Sequence, residues 1–403
     1  MTDEWGPRVT RRQAVAGIAG GVVSAALGRR RRSDREQRVV VIMCDGLGLD
    51  YVAASAMPTL ERWKRDGMYA PVRALMPTVT NPNNTAICCG VSPSITGITG
   101  NSYFDPETGR EAYMDRADLV LAPTLFEHAA RRGVRSVLLS SKKKTIGLLH
   151  RGAELAVTAE EPPPDFVARY GAPPPIYSAE INHWLLTVAV DLLRRRPEIG
   201  CLYIHTTDYP MHMHPPDAPE SRAHLARLDA LLGDAAAAAP DAAFYLTADH
   251  GMNFKTTSWD LAKACAARGA PVRAVVSAAR DQYPKHHLGF GGTAWVYLNA
   301  PGDADRVAST IAGLRGVEAV YSRDEAARRF ALMPSRIGDL MAIGDRDTVL
   351  GEAETEHETL APEYRSHGSL HEVDVPLVVY NAASSVTASN YHMNFDLTRR
   401  LYR

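Results

Sequence analysis

Apolar residues fall in short unbroken runs, several of which stop abruptly at an acid. Val39 to Cys44 is one such run, and Asp45-Gly46 follows it directly. Gly200 to His205 is a second, with Asp208 just beyond, and Ala242 to Leu246 a third, leading to Asp249. Runs of this length without alternation read as strands buried on both faces. Between them the spacing turns helical. Helices are expected around Thr59 to Asp66, with Gly67 as the stop, after Pro82 through Ile87, over Ile181 to Arg194, and over Ala218 to Gly233. In the last of these Leu225, Leu228, Leu231 and Leu232 share one side. Arg135 to Ser140 reads as a further strand, as does Val375 to Tyr380. Strands alternating with helices predict an α/β fold, a mostly parallel sheet sandwiched by helices.

The pattern changes after His250. A glycine turn at Gly289-Phe290-Gly291-Gly292 precedes a strand over Ala294 to Leu298, a helix over Ala304 to Leu314 and a strand over Val317 to Tyr321. This predicts a smaller inserted α+β cap domain over 253–362. The catalytic core is then 38–252 with 363–403, and 1–37 forms a leader. In that leader Thr10-Arg11-Arg12-Gln13 precedes an uncharged small-residue stretch, Ala14 to Gly28. It resembles a twin-arginine export signal and is too short for a comfortable membrane span. Export is the expectation, with cytoplasmic residence the alternative.

Composition narrows the function. The chain has 403 residues, 45% of them hydrophobic and 23% charged, with a formal net charge of -1. No basic excess points to a nucleic acid polymer as partner. Five cysteines occur without any Cys-x-x-Cys spacing, so a thiolate zinc site is disfavoured and the bland reading is buried small hydrophobes.

Asp45, Asp208 and Asp249 all follow strands, so a parallel sheet would bring them to one carboxyl edge. Acids gathered there repel unless cations lie between them. His212 lies one local turn after Asp208, His250 is adjacent to Asp249, and His367 sits in Ser366-His367-Gly368. Mixed imidazole and carboxylate ligands suit zinc or manganese. His214 reads as a surface or supporting histidine. Thr80 begins Thr80-Asn81-Pro82-Asn83-Asn84, and a proline in a first helical turn places it at a helix N-terminus. There the backbone favours an anion, and a nearby metal makes a threonine hydroxyl a usable nucleophile. Taken alone, Thr80 is equally readable as a helix cap.

This ordered set resembles the alkaline phosphatase superfamily, within it the nucleotide pyrophosphatase/phosphodiesterase branch, and within that branch the phosphonoacetate hydrolases, over roughly Val39 to the C-terminus. The resemblance implies two Zn2+ ions, with Mn2+ or another divalent metal as alternatives. Asp208, His212 and His367 would hold one; Asp45, Asp249 and His250 the other, with Thr80 on it as nucleophile. Asn101 would bind a phosphoryl oxygen. Lys142 and Lys144 would grip a substrate carboxylate, sharing one face of an extended strand end while Lys143 points away. The implied reaction is hydrolysis of the carbon–phosphorus bond of phosphonoacetate through a phosphothreonine. A small anionic substrate is expected, no membrane span, and a homodimer is left open. A phosphodiesterase or nucleotide pyrophosphatase on the same scaffold is the alternative, with Tyr103, Phe104 and Tyr209 as candidate base-stacking residues. A non-catalytic metal-binding protein is the remote one. The Cys/Ser-x-Pro-x-Arg motif of sulfatases is absent around Thr80, which disfavours sulfate esters.

Overall fold

The computed structural model describes residues 37–105, 107–383 and 386–403; the twin-arginine-like stretch lies outside the described residues. A seven-stranded sheet organises the core. Its strands are β1 (Val39–Met43), β2 (Met68–Arg73), β3 (Arg135–Ser140), β4 (Leu155–Thr158), β5 (Ile199–His205), β6 (Ala243–Thr247) and β11 (Asp374–Tyr380), in spatial order β2-β11-β6-β1-β5-β3-β4. Only β11 runs against its neighbours. The expected α/β class, a mostly parallel sheet flanked by helices, is what the chain adopts.

Every residue of the central strand β1 is buried, because helices cover both faces and leave no solvent side to accept a polar residue. Register fixes what matters for chemistry. Met43 pairs with His205 on one side and with Thr247 on the other. The carboxyl ends of β1, β5 and β6 are therefore level, and Asp45, Asp208 and Asp249 emerge from one edge.

One expectation needed correction in extent, and an edge strand was missed. The helix read as Ala218 to Gly233 runs Pro219–Ala238, since the alanine-rich stretch after Gly233 is the strongest helix-forming sequence available. The edge strand Met68–Arg73 had no clear hydrophobic run. It alternates buried and exposed positions, with Pro71 facing out, as suits a proline-bearing sheet edge.

Residues between β6 and β11 build their own layers. Strands β7 (Ala274–Ser277), β8 (Thr293–Tyr297), β9 (Val317–Ser322) and β10 (Leu340–Gly344) form an antiparallel sheet in the order β7-β8-β10-β9. Its helix Ala304–Ala312 packs Val307 and Ile311 into a separate apolar cluster with Val296, Leu340 and Leu350. This segment is tied to the core by a buried ion pair, Lys255 to Glu372 at 2.9 Å.

Candidate metal centre

Asp45 follows β1 through a tight Asp-Gly step. Gly46 has φ +74, and a Cβ there would meet the Cβ of Asp208 at 2.9 Å. Glycine thus lets two acid-bearing loops approach closely. Asp208 opens the short helix Tyr209–Met213, which returns His212 to the same spot, its Nε2 2.9 Å from Asp208 Oδ2. His367 arrives from the far side of the inserted segment, with its Nε2 3.7 Å from the same oxygen. His250 Nε2 lies 3.3 Å from Asp249 Oδ2 and 3.6 Å from Asp45 Oδ1.

The three imidazoles share one arrangement. His212 Nδ1 is 2.8 Å from the Arg365 carbonyl, His250 Nδ1 is 3.0 Å from that of Gly251, and His367 Nδ1 is 2.7 Å from that of Thr78. A carbonyl can only accept, so each Nδ1 carries the hydrogen and a neutral ring turns its Nε2 lone pair onto carboxylates. Burial, and for His367 also the nearby His250 and His212, depresses the pKa of His250 and His367. These two rings therefore stay neutral. Lone pair facing carboxylate is repulsive unless a cation lies between, and a backbone-tethered Nδ1 is how metal-ligating histidines are held.

The acids give the same answer. Asp249 Oδ1 accepts from the backbone N–H groups of Gly46 and His250, both at 3.0 Å. Its Oδ2, Asp45 Oδ1 and His250 Nε2 are buried without a hydrogen-bond partner. Burial and then the neighbouring Asp45 hold the Asp249 carboxyl well above the usual range in the metal-free protein. Ligand atoms of Asp208, His212 and His367 lie within 4.8 Å of one another, as do those of Asp45, Asp208 and His250. Asp208 belongs to both triplets, while Asp249 stands beside the second through His250. The residues present fit divalent cations.

Thr80 is the first residue of the helix Thr80–Cys89 and is 2% exposed. Thr78, two residues earlier, is stitched to the His367 loop. Its carbonyl holds His367 Nδ1, and its hydroxyl donates to Ser369 O at 2.8 Å and accepts from Gly368 N–H at 3.0 Å. Asn83 braces the same loop by donating to the carbonyls of Leu75, Pro77 and Val79. Asn101 lies against the helix start, accepting from Asn81 N–H at 2.9 Å and donating to Ala279 O at 3.0 Å.

The lysines reach the site by a different route from the one expected. Strand β3 ends at Ser140, and Lys142 caps the helix Lys143–Leu149, so the two do not share a strand face. Lys142 Nζ donates to Asp45 Oδ2 and to Asp208 Oδ1, both at 2.8 Å. Burial opposes its charge, but Asp208 and Asp45 keep the ammonium well above its ordinary pKa. Lys144 pairs instead with Asp281. Lys143 does point outward, onto Glu161. His214 faces Glu220 at 3.9 Å and belongs to neither ligand triplet.

Sequence reasoning missed His205, Asp281, His286 and His287. His205 Nε2 lies 3.3 Å from Asp45 Oδ2, and Ser140 and Thr145 hold its other nitrogen. His286 stacks on His212 with ring centroids 5.6 Å apart and an angle of 7°. The consecutive histidines beside the glycine turn were the available signal for the last pair. All five cysteines are buried, and the Cys44 thiol is pushed up to about 12 by burial and then by Asp249 and Asp45.

Residues 39–370 match the family model described as type I phosphodiesterase / nucleotide pyrophosphatase. The chain belongs to this family. It lies within the alkaline phosphatase superfamily. It superposes on phosphonoacetate hydrolase from Sinorhizobium meliloti, solved with phosphonoacetate and with phosphonoformate, with a TM-score of 0.81 and 30% identity over 91% of this chain and 95% of that one. Murine ectonucleotide pyrophosphatase/phosphodiesterase 5 shares the fold, with a TM-score of 0.67 and 16% identity over 90% of this chain and 93% of that one. An uncharacterized pyrophosphatase/phosphodiesterase of Schizosaccharomyces pombe is 24% identical over 207 residues, covering 49% of this chain and 40% of that relative. The protein is a hydrolase acting on phosphorus compounds, in a metal-dependent family. No helix among the described residues is long and apolar enough to cross a membrane.

Proposed function

We propose that this hydrolase cleaves the carbon–phosphorus bond of phosphonoacetate, giving acetate and phosphate. Two zinc ions would be held by Asp45, Asp208, His212, Asp249, His250 and His367. When bound they would supply positive charge that lowers the pKa of a nearby hydroxyl and screens the phosphonate. Thr80 is the nucleophile. Its Oγ, giving up its proton, forms the bond to phosphorus as the carbon–phosphorus bond breaks; the departing carbanion takes up a proton to become acetate, and water hydrolyses the phosphothreonine to phosphate and free Thr80. Asn101 still has an amide hydrogen to offer a phosphoryl oxygen beside Thr80.

The observation that carries the substrate reading is the pair of buried lysines at the metal site's edge. An expelled carbanion is bearable only if its charge spreads onto a carboxylate, and cations aimed there stabilise it as it develops. Lys144 is the lysine suited to that role, because Lys142 grips two candidate metal ligands whereas Lys144 pairs with Asp281, outside the ligand set. The likeness to a solved phosphonoacetate hydrolase supports the same substrate.

Phosphate release from phosphonoacetate, with and without added zinc, tests this directly. A parallel assay on a nitrophenyl phosphodiester tests the second reading, a phosphodiesterase. That reading draws on Tyr177 and Tyr209, whose rings lie 5.6 Å apart next to Asp208. Lys144→Ala should lose phosphonoacetate turnover and keep any diester cleavage. Diester turnover without phosphonoacetate turnover in the wild type would replace the first reading by the second.

A further inference from the structure

Lys144 is buried, 4% exposed, and its ammonium is already occupied by a carboxylate of the protein's own, that of Asp281. Asp281 is held in turn by the Tyr283 N–H at 2.7 Å and has His287 Nε2 at 3.4 Å. It belongs to the inserted segment, whereas Lys144 belongs to the core. Asp281 also lines an open cavity of about 520 Å3, together with Tyr113, Arg280, Gln282, Pro284 and Leu288. One buried residue therefore lies in the wall of that cavity and, through Lys144, against the catalytic interior. Every candidate ligand beyond it is at most 2% exposed.

From this we infer that Asp281 is a specificity-determining residue, an internal carboxylate that occupies Lys144 until a substrate carboxylate takes its place. This rests on the phosphonoacetate reading. An anion coming in through the cavity passes Arg280, which is balanced by Glu111 and Glu352 at 3.2 and 2.9 Å. It then meets the Lys144–Asp281 pair. A substrate carboxylate competes with Asp281 for the ammonium, and Asp281 has a second partner to turn to in His287 Nε2 at 3.4 Å, so binding releases Asp281 from Lys144. A phosphonate with no carboxylate has nothing to offer Lys144 and leaves the pair closed. Discrimination is thus an exchange of one charge-assisted contact for another of the same kind. The exchange also frees one tie between Pro284–His287 and the core. The Tyr283 hydroxyl on Glu160, at 2.7 Å, and the Gln282 amide on Asp115 remain as ties.

The test uses the zinc-loaded full chain and compares wild type with Asp281→Asn. The variant keeps the shape and gives up the competing charge. KM for phosphonoacetate should fall by about three- to tenfold, the weight of one competing ionic contact. An unchanged or raised KM overturns the inference while leaving phosphonoacetate hydrolysis intact. Wild type that releases no phosphate removes the functional reading, and this inference falls with it. Should Asp281→Asn not fold, hydrogen exchange on wild type decides. Amides 281–283 and 285–288 should exchange faster with phosphonoacetate than with methylphosphonate. Equal exchange with the two ligands, or slower exchange with phosphonoacetate, overturns the inference.

Discussion

The imidazoles of His250 and His367 stack face to face, with ring centroids 3.6 Å apart and an angle of 11°. One ring follows β6 and the other returns only after the whole inserted segment. Backbone carbonyls of Gly251 and Thr78 hold the two Nδ1 atoms, so both Nε2 lone pairs are free for a cation. Removing either ring should open one coordination set. For His367→Ala, zinc content should drop from two towards one per chain, and turnover by more than about 100-fold, the upper end for changes made outside the ligand shell. Elemental analysis after dialysis, beside a phosphate-release assay, checks both. Unchanged zinc content would remove His367 from the ligand set.

Thr80 opens a helix beside Asn101 and two residues from the tether of His367. If its oxygen makes the bond to phosphorus, Thr80→Ala should lose turnover by at least about 10^3-fold, the range seen when a covalent nucleophile is deleted. Zinc content should stay the same. Thr80→Ser should retain a measurable rate, because the hydroxyl remains. Rapid acid quenching of the wild type should give a phosphate-sized mass increase on the peptide holding Thr80. Near-normal turnover by Thr80→Ala with metal bound would exclude the covalent route.

Glu372 binds the two histidine loops together. Its carboxylate accepts from Lys255 Nζ at 2.9 Å, Asn253 Nδ2 at 2.7 Å, and the Ser369 N–H and hydroxyl at 2.8 Å each, while its carbonyl accepts from Gly251 N–H. Both charges of the Lys255–Glu372 pair are fully buried. Breaking such a pair strands one charge and costs about 3–5 kcal/mol, whereas replacing both partners by apolar groups is often nearly neutral. Urea unfolding should therefore rank Glu372→Leu well below the double variant Lys255→Met/Glu372→Leu. A double variant as unstable as the single one would show that Asn253 and Ser369, not Lys255, depend on the carboxylate.

What could be read in advance followed from local pattern. Asp45, Asp208 and Asp249 were legible because each comes within a few residues of an unbroken apolar run, and parallel strands carry such residues to one edge. Strands β2 and β4 were not, since edge strands of six and four residues lack the apolar saturation of central ones. Lys142 and Lys144 were found by their type and misplaced in geometry, because nothing local announced that β3 stops at Ser140 and a helix begins at Lys143. Asp281 left no local signal, and His286 and His287 left only their adjacency beside the glycine turn. They reach the site only through the folding of the inserted segment, so their partners in the core are set by tertiary contacts that no spacing rule encodes.

A second histidine pair, in neither ligand triplet, sets an acid limit on stability. His183 Nε2 lies 2.9 Å from His224 Nδ1 between the helices Glu180–Arg195 and Pro219–Ala238. His224 is 3% exposed, and its Nε2 is buried without a partner. Burial, and then His183, lower its pKa from 6.5 to about 3. The folded state therefore resists protonating a ring that the unfolded chain protonates readily. Between these two values the unfolded state binds more protons, so stability is greatest above about pH 6.5 and is lost as pH falls. The slope approaches 1.4 kcal/mol per pH unit, or about 2 kcal/mol between pH 7 and pH 5. Other titrating groups contribute over the same range, so the informative quantity is the difference between wild type and His224→Gln, both stripped of metal. The stability of wild type should fall more steeply by that amount in urea titrations across the interval. Parallel pH profiles for the two proteins would mean that the helix pair relaxes enough to hydrate His224 when it is protonated.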